Sequence, residues 1–309
     1  MTTAAAGVVG SSTASRQMGF VRSLRSHPSA VAGLVILGFF IITAALAPII
    51  TPDPPGTNVG PAFAPPSAGH WLGLDDGGAD IVTLLIWGAR VSLLVGFASA
   101  ALAITIGATV GIAAGYFGGR SDSALMRTTD YFLVIPDVPL MIIVAALFGA
   151  SIDHTILIIG LLLWTWTARV VRAQTKSLRE RAYVKRTKAL GGSDARIIFH
   201  HILPHLMPLI VASAVLAISV AIFAETALAF LGLGDPSSIS WGKILRSAFE
   251  RTAISNGAWW AVVPPGLCIA LVVFGCQLLG RTIQDALNPR LRVSHLAPGS
   301  PRLVDTELA

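Results

Sequence analysis

Charged residues are scarce in this sequence. Asp, Glu, Lys and Arg account for 12% of its 309 residues, whereas a soluble domain carries roughly 25%. Hydrophobic residues account for 54%, and the mean hydropathy is +0.73. These values exclude a water-soluble enzyme of this size, which would need more polar surface, and a disordered chain, which is far less apolar. We therefore expect a polytopic membrane protein.

The sequence also lacks the motifs of several chemistries. Its only Gly-Lys pair, Gly242-Lys243, has neither the earlier glycine nor the following Ser or Thr of a phosphate-binding loop, and no His-Glu-x-x-His motif is present. The two cysteines, Cys268 and Cys276, would lie about 12 Å apart along one helix, too far for a disulfide. We predict no catalytic residue, no cofactor and no ATP hydrolysis by this chain itself.

Long apolar runs are what the sequence does contain. Four runs have no charged residue, and two shorter ones are interrupted by, or end at, a single charge. A helix needs about 20 apolar residues to cross a bilayer. We predict six transmembrane helices, at about 30–50, 92–116, 133–151, 154–170, 207–227 and 258–280.

The distribution of basic residues predicts the orientation of these helices. With six spans, 18 of the 22 Lys and Arg residues fall on one side, and segment 51–89 is outside with none before Arg90. Cytoplasmic loops carry the Lys and Arg excess, so we predict that both termini are cytoplasmic, with a flexible segment 1–28 and a tail 293–309. The net charge of +6 then fits contact with anionic membrane lipid and requires no nucleic acid.

Small residues recur at every fourth position of the second span. The members of this stripe are Ser99, Ala103, Gly107, Gly111, Gly115 and Gly119. Such a stripe lets a neighbouring backbone approach closely. The neighbour is either another helix of this chain or a second subunit.

Two carboxylates fall within predicted spans. Asp137 follows Pro136, which fits a helix N-terminus. Glu225 lies 17 residues after Pro208, roughly 25 Å along the helix, which predicts a position at the outer interface. Intramembrane carboxylates are often functional, so both are also candidates for the substrate pathway.

The segment 171–206 has the pattern of an ordered cytoplasmic element. Residues 172–190 favour a helix, and Gly191-Gly192 is typical of a helix end. Ser193 is a good N-cap for a second helix, with Asp194 in its first turn. We expect two helices joined by a sharp turn, leading through Pro204 into the fifth span, as a docking surface for a partner. An amphipathic helix lying on lipid is the alternative.

This segment resembles the coupling loop of ABC importer permeases. That family has Glu-Ala-Ala, then Gly, then Ile-x-Leu-Pro at fixed spacing; here the matching positions are Lys185-Arg186-Thr187, Gly191, His201 and Leu203-Pro204. Lys185 replaces the Glu, which puts the local salt bridge of the family in doubt. Further similar segments are 70–80, 88–93, 115–119, 230–234, 240–242 and 285–292. Together they resemble the second, C-type permease subunit of dipeptide and oligopeptide importers, over about 28–292.

The resemblance implies a fold, partners and site residues. It implies an all-α permease bundle over 29–292, a homologous second permease, two ATP-binding subunits that bind ATP and Mg²⁺, and an extracytoplasmic substrate-binding protein. It implies that the ATPase subunits couple to Tyr183, Lys185, Thr187, Ala189, Leu190, Gly191, Ser193, Asp194, Leu203 and Pro204. The location would be the bacterial inner membrane.

Other functions stay open at this point. The family also transports nickel, haem and other small solutes, so peptide is only the first choice. A membrane-embedded hydrolase would need a metal or nucleophile; His201 and His205 have metal-ligand spacing, but Pro204 interrupts it and no carboxylate adjoins them. A channel or an uncoupled carrier is a further alternative. Only the predicted docking loop argues against it, because such a protein has no partner to dock there.

Overall fold

The computed structural model of the chain describes residues 27–51 and 54–287. Within these residues the chain forms helices and no β-strand, apart from one isolated β-bridge between Leu74 and Asp80. The predicted tail 293–309, and all but the last two residues of the predicted segment 1–28, lie outside the described residues.

Twelve α-helices follow one another along the described chain. They are α1 (Pro28–Ala45), α2 (Ala47–Ile50), α3 (Ile81–Phe117), α4 (Gly119–Val134), α5 (Asp137–Phe148), α6 (Ile152–Leu162), α7 (Trp164–Arg179), α8 (Ala182–Ala189), α9 (Asp194–Ile197), α10 (Leu203–Phe230), α11 (Trp241–Glu250) and α12 (Val263–Leu287). A π-helix, Ile198–Ile202, joins α9 to α10, and a 3₁₀ turn, Trp259–Ala261, precedes α12.

Five helical segments of the described chain are long and apolar enough to cross a membrane. They are Pro28–Ala45, Ile81–Phe117, Ile152–Arg179, Asp194–Phe230 and Trp259–Ala286, and the bent pair α4–α5 makes a sixth if it is one span. The all-helical membrane fold is thus confirmed. The side of the membrane on which each end lies stays a prediction.

The bent pair differs from the predicted third span at 133–151. Helices α4 and α5 meet at an angle of 86°, because Ile135 and Pro136 are extended between them. Helix α5 has 12 residues, about 18 Å of rise, which is less than the hydrocarbon thickness of about 30 Å. The residues before it, predicted as a cytoplasmic connection, form the helix α4.

One other predicted span begins elsewhere. Helix α3 starts at Ile81 rather than at residue 92, because the Asp80 side chain caps it by accepting a hydrogen bond from the Thr83 N–H at 3.1 Å. The sixth span, predicted from 258, agrees with the segment that begins at Trp259, although its α-helix α12 starts at Val263 after the 3₁₀ turn. Pro264 and Pro265 therefore do not break a helix: they lie in its first turn, where no intrahelical hydrogen bond is lost.

The small-residue stripe of α3 packs against α7 of the same chain. A Cβ atom added at Gly107 would lie 2.6 Å from the Trp164 carbonyl oxygen, and one at Gly111 would lie 2.6 Å from that of Ala168. The two backbones are therefore in direct contact over several turns, which only small residues permit. The question left open by the sequence is settled in favour of an intrachain neighbour.

Side-chain contacts place the helix ends in two groups. Ser29 at the start of α1 hydrogen bonds to Thr282 near the end of α12, at 3.0 Å. Tyr116 at the end of α3 reaches Asp194 at the start of α9. We call the side of the bundle that holds these helix ends the basic end, since α8 and the last turn of α7 carry a cluster of Lys and Arg there. The loop 54–80 and helix α11 lie at the opposite end.

Candidate functional site

The predicted coupling loop folds as two short helices. Helices α8 and α9 and the turn between them, residues 182–197, form what we call the two-helix element. The helix predicted over 172–190 is instead divided, since α7 ends at Arg179 and α8 begins at Ala182. Tyr183, Lys185, Thr187 and Ala189 lie on α8, Leu190 and Gly191 in the turn, Ser193 and Asp194 at the start of α9, and Leu203 and Pro204 at the start of α10.

The turn of this element is the predicted glycine cap. Gly191 has a φ of +82°, the left-handed region that glycine enters at no steric cost. Its N–H donates to the Lys188 carbonyl, and the Gly192 N–H donates to the Thr187 carbonyl, both at 3.0 Å. This pair of bonds is the Schellman motif that ends a helix. A Cβ at Gly191 would meet no atom within 4 Å, so only backbone conformation restricts the position.

The second helix of the element is capped as predicted. The Ser193 hydroxyl accepts a hydrogen bond from the Arg196 N–H at 3.4 Å. The Asp194 carboxylate accepts one from the Tyr116 hydroxyl at 2.6 Å, a contact to α3 that the sequence did not predict. Tyr116 lies in the segment 115–119, and nothing in that segment indicates a partner 78 residues away.

Lys185 forms an ion pair at the position where the family has Glu. Its ammonium lies 2.7 Å from the carboxylate of Glu180, and both side chains are more than half exposed. This hydrogen bond from Lys185 lowers the pKa of Glu180 below its ordinary value. Such an exposed pair contributes little to stability.

The entry into α10 is continuous. Pro204 has no N–H and would clash with the carbonyl four residues earlier in a regular α-helix. The wider π-helix Ile198–Ile202 precedes it, and such π-turns accommodate an interrupted hydrogen-bond ladder. The side chains of Ile197, Ile202 and Leu206 are each 0% exposed, which fixes this junction to the bundle.

An ion-pair cluster joins α4 to α7 just before the element. The carboxylate of Asp122 binds Arg172, with one contact of 2.8 Å, and Lys176 at 2.6 Å. Asp122 is buried, so these charges compensate one another within the protein. This cluster was not predicted, because its two sides are separated by 50 residues.

Glu225 is not at an exposed interface, contrary to the prediction. Its side chain is 4% exposed and accepts a hydrogen bond from the Ser92 hydroxyl at 3.0 Å, and Ser240 lines the same cavity as Glu225. The Ser92 hydroxyl oxygen in turn accepts a hydrogen bond from the backbone N–H of Trp241 at 3.3 Å. We call these four residues the Glu225 network. It joins α10 to α3 and to the start of α11.

Glu225 and Ser240 of this network line a cavity of about 210 Å³. Its wall includes Asp235 and Lys243, whose ammonium donates to the Ser238 carbonyl at 2.8 Å. Burial lowers the pKa of Lys243. Hydrogen bonds from Ser237 lower the pKa of Asp235. The cavity therefore presents groups of both charges.

Asp137 lies apart from Glu225. It is the first residue of α5, as predicted for a helix N-terminus, and it is exposed. It lines a separate cavity of about 100 Å³ with Val220 and Phe223 of α10. The structure therefore does not bring the two pathway candidates together.

Comparison with known proteins identifies the family. The family described as "Binding-protein-dependent transport system inner membrane component" matches residues 107–293. The chain belongs to this family. It is therefore a membrane permease component, and its place is the inner membrane. The matched range contains the two-helix element, α10 and Glu225, and a second family, described as the "N-terminal TM domain of oligopeptide transport permease C", matches residues 18–66, which include α1.

Relatives of this permease cover most of its length. It is 37% identical over 273 residues to "Dipeptide transport system permease protein DppC" of Alkalihalophilus pseudofirmus, which is 88% of this chain and 89% of that protein. It is 34% identical over 270 residues to "Oligopeptide transport system permease protein OppC" of Bacillus subtilis, 87% and 88% of the two chains. It is 33% identical over 283 residues to OppC of Mycobacterium tuberculosis, 90% and 96% of the two chains.

Proposed function

We propose that this permease forms half of the pore of an ATP-driven importer of peptides. The observation that carries the proposal is the near full-length similarity to permeases named for dipeptide and oligopeptide transport. The same names favour peptide over nickel or haem as the substrate.

The partners follow from the family. A binding-protein-dependent system needs an extracytoplasmic substrate-binding protein, and a half-pore needs a homologous second permease. Two ATP-binding subunits supply the free energy and hold ATP and Mg²⁺, because this sequence has no phosphate-binding loop. The permease itself carries no cofactor in this arrangement, and its apolar outer surface contacts membrane lipid.

The two-helix element is the proposed docking site of one ATPase subunit. Support comes from its exposed apolar side chains, since Leu190 is 83% exposed and Phe199, in the adjoining π-helix, is 64% exposed. Large apolar side chains in such positions mark interaction surfaces. The coupling residues from Tyr183 to Pro204 lie on or next to this surface.

The test is peptide uptake by the complete complex. The permease, its homologous partner, both ATPases and the binding protein are reconstituted into vesicles, and labelled dipeptide and nickel are supplied separately with ATP inside. We expect ATP-dependent accumulation of the peptide. Accumulation of nickel but not of any di- or oligopeptide would contradict the proposed substrate, and uptake without ATP would contradict the coupling.

The proposed orientation has its own test. Ser67 is exposed in the loop at the opposite end, so Ser67→Cys, with Cys268 and Cys276 replaced by Ala, should react in intact cells with an impermeant maleimide. A Cys placed at the exposed Leu190 is the matched control and should react only after permeabilisation. Reversal of this pattern would show that both termini are outside.

A further inference from the structure

We propose that Tyr116 and Tyr183 are positioning residues that attach the two-helix element to the membrane helices α3 and α10. The proposal rests on the proposed function, since it takes the element to be where an ATPase subunit docks. It adds the route by which a movement of the element reaches two particular spans.

Tyr183 attaches α8 to the base of α10. Its ring stacks on the imidazole of His205, with centroids 5.8 Å apart and planes 30° apart, and meets His201 edge-on at 5.9 Å. The Nδ1 atom of His205 hydrogen bonds to the His201 carbonyl at 2.7 Å, which fixes the orientation of the imidazole ring. The tyrosine ring is therefore held between two residues that belong to the entry of α10.

Tyr116 attaches α9 to the end of α3. Its side chain is 4% exposed, among the apolar residues that cover the base of the bundle. Its hydroxyl donates to Asp194 at 2.6 Å, and Asp194 is the first residue of α9. The ammonium of Lys188 lies 5.8 Å from the ring centroid, so the last turn of α8 also contacts this tyrosine.

These attachments matter because few side chains of the element are buried. Val184 is the one buried residue of α8, and Ile197 is the one buried residue of α9. The turn at Gly191 has no side-chain neighbour to restrain it. A force on α8 therefore reaches α10 through Tyr183, and a force on α9 reaches α10 along the continuous helical run and α3 through Tyr116. The element acts on two spans at once and changes their relative position.

The experiment measures peptides transported per ATP hydrolysed, in the reconstituted complex with binding protein. The variants are Tyr116→Phe, which removes the hydroxyl and keeps the ring, and Tyr183→Leu, which removes the ring. Tyr131→Phe is the matched control, because Tyr131 is the one remaining tyrosine of the three in the chain and is 74% exposed on α4. Co-purification of the ATPases and the melting temperature of the complex are recorded for each.

We expect Tyr116→Phe and Tyr183→Leu each to lower the transport ratio about fivefold, the size of effect that loss of one hydrogen bond or ring contact has on an equilibrium. Tyr183→Phe should recover most of the loss seen in Tyr183→Leu, because the stack is retained. Asp194→Asn should lower the ratio less than Asp194→Ala, since the amide oxygen accepts the same bond. Tyr116→Phe combined with Asp194→Ala should be no worse than either alone, as for two ends of one contact.

The outcomes separate the two proposals. If the wild-type complex accumulates peptide with ATP and both variants keep its transport ratio, the attachment proposal is wrong and the proposed function stands. If both variants lose ATPase co-purification or melting temperature in proportion to transport, the tyrosines are merely structural, which also overturns it. If the wild-type complex shows no ATP-driven peptide uptake, the proposed function fails and the attachment proposal fails with it.

Discussion

The two ends of helix α10 carry polar groups in opposite circumstances. At its base, the two-helix element exposes most of its side chains and is attached by Tyr116, Tyr183 and two buried aliphatic residues. At its other end, Glu225 is enclosed and hydrogen bonded to Ser92. The first arrangement allows the element to move without opening the core, whereas the second makes movement costly, because a buried carboxylate would lose its partners. The base of α10 therefore carries a movable element, whereas its other end is held in a fixed position.

The largest effect is expected from breaking the close contact between α3 and α7. Gly111→Leu would force a side chain into the Ala168 carbonyl, 2.6 Å from the new Cβ, and should destabilise the bundle by about 3 kcal/mol or more. The permease should fail to accumulate in the membrane. Gly38→Leu is the control, because a Cβ there meets nothing within 4 Å. Equal accumulation of both variants, judged by immunoblot, would contradict the close α3–α7 contact.

The next effect tests the fixed end. Glu225→Ala leaves the Ser92 hydroxyl without its acceptor, at a cost of about 1–3 kcal/mol, and should abolish uptake. Glu225→Gln keeps an acceptor, so we expect normal assembly but reduced uptake if the charge serves the pathway. Both are measured as peptide uptake at equal amounts of purified complex. Full uptake by the Gln variant would assign Glu225 a packing role alone.

A smaller effect is expected at the movable end. Gly191→Val places a β-branched residue at a φ of +82°, which costs roughly 1–2 kcal/mol, and should tilt α9, weaken ATPase co-purification and abolish ATP-driven uptake while the permease still inserts. Gly191→Asn is the matched control, since Asn tolerates this region. A Val variant with normal co-purification and uptake would show that the turn is not part of the coupling path.

The smallest effect is expected at the exposed ion pair of α8. The pKa of Glu180 is lowered in the fold. Its pairing with Lys185 therefore contributes to stability at pH values above the ordinary glutamate pKa, and this contribution is lost as the pH falls through the lowered pKa. Because both groups are largely exposed, Glu180→Gln should change neither the melting temperature at neutral pH nor the transport ratio measurably. A clear loss of either would give this pair the role that the Glu of the family motif was expected to have.

Local signals in the sequence were sufficient for the features that neighbouring residues determine. The glycine cap at Gly191 and the N-cap at Ser193 depend on backbone conformation within a few residues, and both are present. The apolar runs also predicted the five helical segments that are long and apolar enough to cross a membrane. In each case the cause lies within one turn or one span of the chain.

Features that depend on distant residues were not predictable in this way. Position along a helix gives the height of Glu225 but not the side it faces, and its partner Ser92 is 133 residues away. The break after Arg179 could not be predicted from the sequence, because no Gly or Pro lies near it. Leu178 and Val184 are both buried, yet six residues apart in one straight helix they would face widely different directions. The break allows both to reach the same core.

The short helix α5 has a consequence for where lipid can be. Between α4 and α5 the backbone at Ile135 and Pro136 is extended, so the hydrogen-bond ladder of a spanning helix is interrupted there, although the Pro136 carbonyl accepts from the Leu140 N–H at 3.2 Å. Hydrocarbon offers no substitute partners, and irregular backbone is stable at membrane depth only against protein or water. If the break lies at membrane depth, we therefore expect Val134, 81% exposed in the isolated chain, to contact protein or water rather than acyl chains.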